Sequence, residues 1–132
     1  MGATDQMIVH AEISVIPIGS ATIISNELRE KEIKPTSMSK EIAVAFEAIS
    51  QIKDIKVMLT SMGTQIESNN IQNVLKAVEV AHQAIKEIGV KRIISTVRID
   101  ERLDKAYTLE DKVKSVKEKL PKKETTNLVN SF

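Results

Sequence analysis

The chain has 132 residues, 42% hydrophobic and 28% charged, a balance that predicts one packed domain and argues against a disordered or membrane-spanning polymer. With 19 basic and 18 acidic residues, the net charge of +1 is too small to attract nucleic acid by charge alone. Cysteine is absent, which excludes disulfides, thiolate metal sites and cysteine nucleophiles. No apolar run reaches the roughly 20 residues of a membrane span, so we expect the protein in the cytoplasm.

The first half of the chain predicts a strand, a helix and a hairpin. After a polar leader at residues 1–6, strand-forming residues run from 7 to 18. Residues 21–34 fit no clean period and are predicted to be a charged insert. A helix is expected to begin at Ser37, because apolar residues then recur at three- and four-residue spacing. Two short strands follow, at residues 55–61 and 64–67, with Met62 and Gly63 at the bend between them.

The second half predicts helix, strand and helix. Asn69 or Asn70 can cap a long amphipathic helix that ends at Gly89, and residues 92–100 form the next strand. Thr108 and Asp111 make a capping-box pattern at the start of a third helix, before a mobile tail at 121–132. The order β-α-β-β-α-β with an extra C-terminal helix predicts an α+β ferredoxin-like sandwich as one domain over residues 7–120.

Alternation along the strands predicts two unlike sheet faces. One face packs on the two main helices, and the other, here named the distal face, is expected to be free of helices. The distal face combines apolar and polar residues, so we expect a second copy of the chain to cover it. The members predicted from alternation are Glu12, Ser14, Thr60, Glu67, Thr96, Arg98 and Asp100, beside Ile8, Ile16, Met58 and Ile94.

Charged groups on a covered face must be paired with each other or must serve a ligand, because an isolated buried charge is very costly. One interpretation is a binding pocket at a subunit interface. The other is that Arg98 only bridges Glu12 or Asp100 across neighbouring strands. Alternation and composition leave both interpretations open.

Four segments together resemble the small thiamine-binding protein family, the YkoF-like proteins. They are "IVHAEISVIPIG", the hairpin "LTSMGTQIES", the helix "VLKAVEVAHQAIKEIGVKRI" and the closing "STVRIDERLDKAYTLEDKVKSVKEKL". The resemblance covers most of residues 7–120 in order. It implies a ferredoxin-like subunit that associates into dimers and then homotetramers, and that binds thiamine or its hydroxymethylpyrimidine moiety without catalysis or a cofactor.

The resemblance also assigns ligand-binding residues. Its hairpin motif falls on Met62, Gly63, Thr64 and Glu67, and its strand motifs fall on Glu12, Ser14, Thr96, Arg98 and Asp100. Carboxylate and hydroxyl groups can fix the edge of an aminopyrimidine by hydrogen bonds. The predicted ligand-binding set is therefore Glu12, Ser14, Thr60, Met62, Gly63, Thr64, Glu67, Thr96, Arg98 and Asp100.

Other function classes have little support in the sequence. His10 and His82 lack metal-ligand spacing, so each is expected to be a packed or interface histidine, and an enzyme or metal site is not predicted. RNA binding by such a sheet needs aromatic residues on its open face, and none is placed there. The alternative that stays open is a structural homo-oligomer with no small-molecule ligand.

Overall fold

A computed structural model describes residues 7–19 and 37–121, and these described residues form seven helices and strands. The predicted leader at 1–6, the insert at 21–34 and all but the first residue of the tail at 121–132 lie outside the described residues. No helix within the described residues is long and apolar enough to cross a membrane. The elements are β1 (Val9–Ile18), α1 (Ser39–Ser50), β2 (Lys56–Leu59), β3 (Thr64–Ser68), α2 (Ile71–Glu87), β4 (Arg92–Glu101) and α3 (Leu109–Lys117).

The four described strands form one antiparallel sheet in the order β2-β3-β1-β4. Helices α1 and α2 cover one face, where their buried residues join those of the strands in a main core and in a smaller cluster of Val9, Ala11 and Val74. This order and layering confirm the predicted ferredoxin-like α+β fold. The core is built from small and branched apolar side chains, among them Ile13, Val15, Ala45, Ile49, Ile66, Ala77, Ala81 and Ile85.

The helix caps in the structure can be compared with those predicted from the sequence. Asn70 caps α2 by accepting a 2.8 Å hydrogen bond from the Asn73 N–H, and Gly89 follows the helix with a φ of 95°. Both features were predicted. The expected cap at Ser37 was wrong, because α1 begins after Met38 and has no side-chain cap.

Strand β1 has two unequal partners. Along one edge it pairs with β4 over its whole length, from Val9 to Ile18. Along the other edge its pairing with β3 stops at Ile13, which lies opposite Thr64. Beyond Ile13, no strand within residues 7–19 and 37–121 pairs with that second edge.

The distal face is partly covered by α3, so the expectation that it would be free of helices was wrong. The Leu109 N–H, in the first turn of α3, donates a 2.8 Å hydrogen bond to Oε1 of Glu67 on β3. The Lys112 ammonium donates to the carboxylate of Asp100 on β4. No residue of α3 is buried, so these polar contacts fix its position on the sheet.

Candidate functional site

The structure divides the predicted ligand-binding residues between two pockets. Ser14, Thr60, Met62, Gly63 and Thr64 line a cavity beside the β2–β3 hairpin, here named the hairpin cavity. A second depression on the sheet, here named the distal pocket, includes three more of them. These are Glu12, Arg98 and Asp100. Glu67 and Thr96 line neither pocket.

The hairpin cavity has a volume of about 300 Å³, at the lower end for small-molecule sites. It lies between β1, the β2–β3 hairpin and α1, at the end of the sheet where β3 stops short of β1. Helix α1 forms one wall. That wall is apolar and includes Ile42, Ala45 and Ile49, while hydroxyl groups line the hairpin side. A cavity with apolar walls and a few hydroxyls suits a flat ring with polar edges.

The hairpin turn is held rigid by the Thr60 hydroxyl. Its Oγ1 donates to the Gly63 carbonyl at 2.7 Å and accepts from the Gly63 N–H at 3.1 Å. Because these bonds occupy the Thr60 hydroxyl, its role is to shape the rim of the cavity. Ser61, which the sequence reasoning did not select, also lines the cavity and is exposed.

Gly63 is required by a close approach of two backbones. A Cβ at this position would lie 3.0 Å from the Ile13 carbonyl oxygen and 3.4 Å from Cγ of Glu12. A larger residue would push the hairpin away from β1 and alter the cavity between them.

Thr64 lies on the opposite side of the sheet from the distal face, unlike Glu12 and Glu67 of the same predicted ligand-binding set. It pairs with Ile13, shares the helix-facing side with Ile66, and is 6% exposed. It therefore lines the hairpin cavity from the core side. Met62, by contrast, is 81% exposed at the tip of the turn.

The distal pocket has a volume of about 470 Å³, and most of the side chains that line it are polar or charged. The Arg98 guanidinium lies 3.5 Å from Oε1 of Glu12, but the Arg98 side chain is 82% exposed, so this pair contributes little. The hydrogen bond from Lys112 lowers the pKa of Asp100 below its usual 3.8. The charges in this pocket are thus largely paired with one another, as the simpler interpretation of Arg98 predicted.

His10 and Glu67 form the base of the contact with α3. His10 is 5% exposed, which confirms a packed histidine, and its Nε2 lies 3.4 Å from Oε1 of Glu67 without hydrogen-bond geometry. Burial lowers the pKa of His10 below 6.5, and Lys112 acts in the same direction, while Glu67 and Asp100 oppose them. Because Glu67 also accepts the hydrogen bond from the Leu109 N–H, it anchors α3 in this structure.

Several residues that line the distal pocket were not in the predicted ligand-binding set, among them His10 and Lys112. Alternation placed His10 on the same side of β1 as Glu12 and Ser14, but it was not selected as a ligand-binding residue. Lys112 lies on α3, and nothing in the sequence indicated that this helix packs against the distal face. Within the described part of the chain, no group of histidine and carboxylate side chains is placed to bind a metal ion.

Comparison with known proteins tests the family resemblance directly. Residues 11–117 match the sequence profile of the family described as thiamine-binding protein. The chain belongs to that family. A UPF0045 protein from Methanothermobacter thermautotrophicus is 34% identical over 110 residues, which cover 83% of this chain and 97% of the relative. A UPF0045 protein from Methanocaldococcus jannaschii is 36% identical over 108 residues, covering 82% and 91%.

Solved structures with similar sequences or folds match this chain. The crystal structure of the M. jannaschii protein matches with a TM-score of 0.66 at 33% identity, covering 83% of this chain and 96% of that one. A Thermotoga maritima protein, provisionally assigned to thiamine biosynthesis or salvage, matches with a TM-score of 0.59 at 19% identity, covering 83% and 98%. At that identity the second match supports the fold alone. The family match spans the hairpin and α3, so it includes the residues of the hairpin cavity and all those of the distal pocket except His10.

Proposed function

We propose that this chain binds thiamine or its hydroxymethylpyrimidine moiety without catalysis, and that the hairpin cavity holds the pyrimidine ring. The observation that carries the proposal is the cavity of about 300 Å³ within the family unit, lined by the predicted hairpin residues. The family is described by the molecule it binds and not by a reaction.

The chemistry of the cavity supports a substituted aminopyrimidine. Ile42 and Ala45 offer apolar contact to the faces of a ring, and Ser14, Ser61 and Thr64 offer hydroxyls to its polar edge. Because a hydroxyl both donates and accepts, these groups can serve either a ring nitrogen or an amino group.

Glu12 supports the binding of the cationic thiazolium of thiamine. Its Cγ lies 3.4 Å from the position that a Cβ on Gly63 would occupy, so its side chain packs against the hairpin that borders the cavity. The Glu12 carboxylate lies 3.5 Å from the Arg98 guanidinium, but because that pair is exposed and weak, the carboxylate still favours a positive charge held nearby. Free hydroxymethylpyrimidine lacks that charge, so thiamine should bind more tightly.

A second copy of the chain is our proposed cover for the exposed part of the distal face. Ile16, Met58 and Ile94 are 41%, 46% and 44% exposed there, and Val113 and Val116 of α3 are also exposed. Apolar residues grouped on one surface favour association between copies. We propose that this association gives a dimer of dimers, and that the protein works in the cytoplasm. Light scattering should show a lower assembly mass for Ile94→Lys than for the unmodified protein.

Calorimetric titration with thiamine and hydroxymethylpyrimidine tests the ligand. A ligand bound only by the folded state also raises the melting temperature, which gives a second readout. Ser61→Trp, at the exposed rim, should block the cavity and weaken binding by about tenfold or more, whereas Ser50→Trp at the end of α1 should stay within about twofold of the unmodified protein.

Two results would contradict this proposal in different ways. Absence of both heat and melting shift for either ligand would leave the structural homo-oligomer as the better account. Loss of binding in Arg98→Ala, with binding retained in Ser61→Trp, would move the ligand to the distal pocket.

A further inference from the structure

Among the residues that the structure describes, the second half of β1 has one edge without a strand partner, and this edge borders the hairpin cavity. β1 has 10 residues and its neighbour β3 only 5, so their pairing ends at Ile13 and Thr64. Pairing with β4 on the other edge continues to Ile18. Val15, which lies beyond the last β3 pair, lines the cavity.

The direction of the main-chain groups follows from strand geometry. A strand residue turns its N–H and C=O to the same edge, and successive residues turn theirs to opposite edges. The Ile13 carbonyl faces the hairpin, because a Cβ on Gly63 would lie 3.0 Å from its oxygen. By alternation, the N–H and C=O of Val15 face the same edge of β1 as those of Ile13, the edge on the side of the hairpin.

Pro17 gives independent support for this direction. It has no N–H, yet it pairs with Ile93 on β4 within a continuous ladder. Proline is tolerated in a strand where its nitrogen points away from the neighbouring strand. Pro17 has the same parity as Val15, so the Val15 N–H also points away from β4 and towards the open edge.

We propose that the main-chain N–H and C=O of Val15 recognise the aminopyrimidine edge of the ligand, an inference that rests on the proposed function. Val15 is 8% exposed, and its N–H and C=O face an edge with no strand partner among the described residues. Unpaired buried main-chain groups are costly, and a ligand in the cavity supplies their partners. The C=O accepts from the exocyclic amino group, and the N–H donates to the adjacent ring nitrogen.

This arrangement gives a specificity that hydroxyl groups alone would not give. A main-chain N–H only donates and a C=O only accepts, whereas serine and threonine hydroxyls adapt to either role. A 4-oxo pyrimidine reverses the hydrogen-bond pattern of the 4-amino compound. It should therefore bind at least about tenfold more weakly, since two buried groups would lose their partners.

Amide hydrogen exchange gives a test that needs no variant. Saturation with hydroxymethylpyrimidine should slow exchange of the Val15 amide, while the Ile13 amide, already paired with β3, should change little. Unchanged exchange of the Val15 amide in a sample that calorimetry shows to be saturated would overturn the inference and leave the proposed function standing.

Val15→Pro removes the N–H at a position whose parity already accommodates Pro17. Val97→Pro is the matched control, because Val97 lies opposite Ile13 and alternation turns its N–H to the outer edge of β4, the last strand of the sheet. Val15→Pro should weaken binding by about tenfold, and Val97→Pro should stay within about twofold. Equal affinities in both variants would refute a role for Val15, while no binding by the unmodified protein would refute the inference together with the function.

Discussion

Helices α2 and α3 both begin with a side-chain cap, yet different forces attach them to the sheet. α2 inserts Val74, Ala77, Ala81 and Ile85 into the core, each with no exposed surface. α3 has no buried residue and is attached through polar groups of Glu67, Asp100 and Lys112. Helix α2 is therefore part of the hydrophobic core, whereas the position of α3 depends on a few ionisable groups.

Truncation in the core should give the largest effect. Ile85→Ala should reduce the free energy of unfolding by about 3 kcal/mol, because a fully buried side chain leaves a cavity. Val116→Ala on α3 should change it by less than about 0.5 kcal/mol, since Val116 is 60% exposed. Urea unfolding measures both, and similar losses in the two variants would show that α3 is as deeply packed as α2 in solution.

Removal of the α3 anchor should give an intermediate effect. Glu67→Ala leaves the Leu109 N–H without its acceptor and should cost about 1–2 kcal/mol, chiefly as faster amide exchange in α3. Glu110→Ala is the matched control, because its exposed carboxylate pairs with exposed Lys56 at 3.6 Å. If exchange in α3 is equally fast in both variants, Glu67 is not the anchor.

Acidification should give the smallest effect and should act at the contact between α3 and the sheet. Because burial lowers the pKa of His10 below 6.5 in the folded protein, the unfolded chain binds a proton more readily. Stability should therefore fall as the pH decreases from 6.5 towards the lower native pKa. Asp100, whose pKa is already lowered, stays ionised in this range.

The His10→Leu variant separates this contribution from the rest. Its free energy of unfolding should depend less on pH below about 6.5, where the histidine of the unfolded chain takes up a proton. An unchanged slope in urea titrations at these pH values would show that the proton uptake belongs to another group.

The contrast between the two helices also explains what the sequence could predict. For α2, apolar periodicity, the Asn70 cap and Gly89 all agree, so its limits were predicted almost to the residue. For α3, the cap was also evident, but its apolar residues Val113 and Val116 are exposed in the structure. Its position on the sheet depends on single polar contacts between residues far apart in the sequence, which periodicity does not reveal.

The candidate site was also only partly predictable from the sequence. Alternation along β3 by itself puts Thr64 on the same face as Ile66, which is buried in the core. The family motif nevertheless placed Thr64 in one ligand-binding set with residues of the distal face. The cavity that explains its position arises because β3 stops opposite Ile13 while β1 continues, and this difference in register appears only when the strands are paired.

Methyl-resolved NMR with isotope-labelled isoleucine and alanine tests most directly where the ligand binds. On addition of hydroxymethylpyrimidine, we predict shifts in the methyl signals of Ile42, Ala45 and Ile49, which line the hairpin cavity. The signals of Ala11 and Ile99, which line the distal pocket, should stay in place. Shifts confined to Ala11 and Ile99, or no shifts at saturating ligand, would contradict a pyrimidine site beside the hairpin.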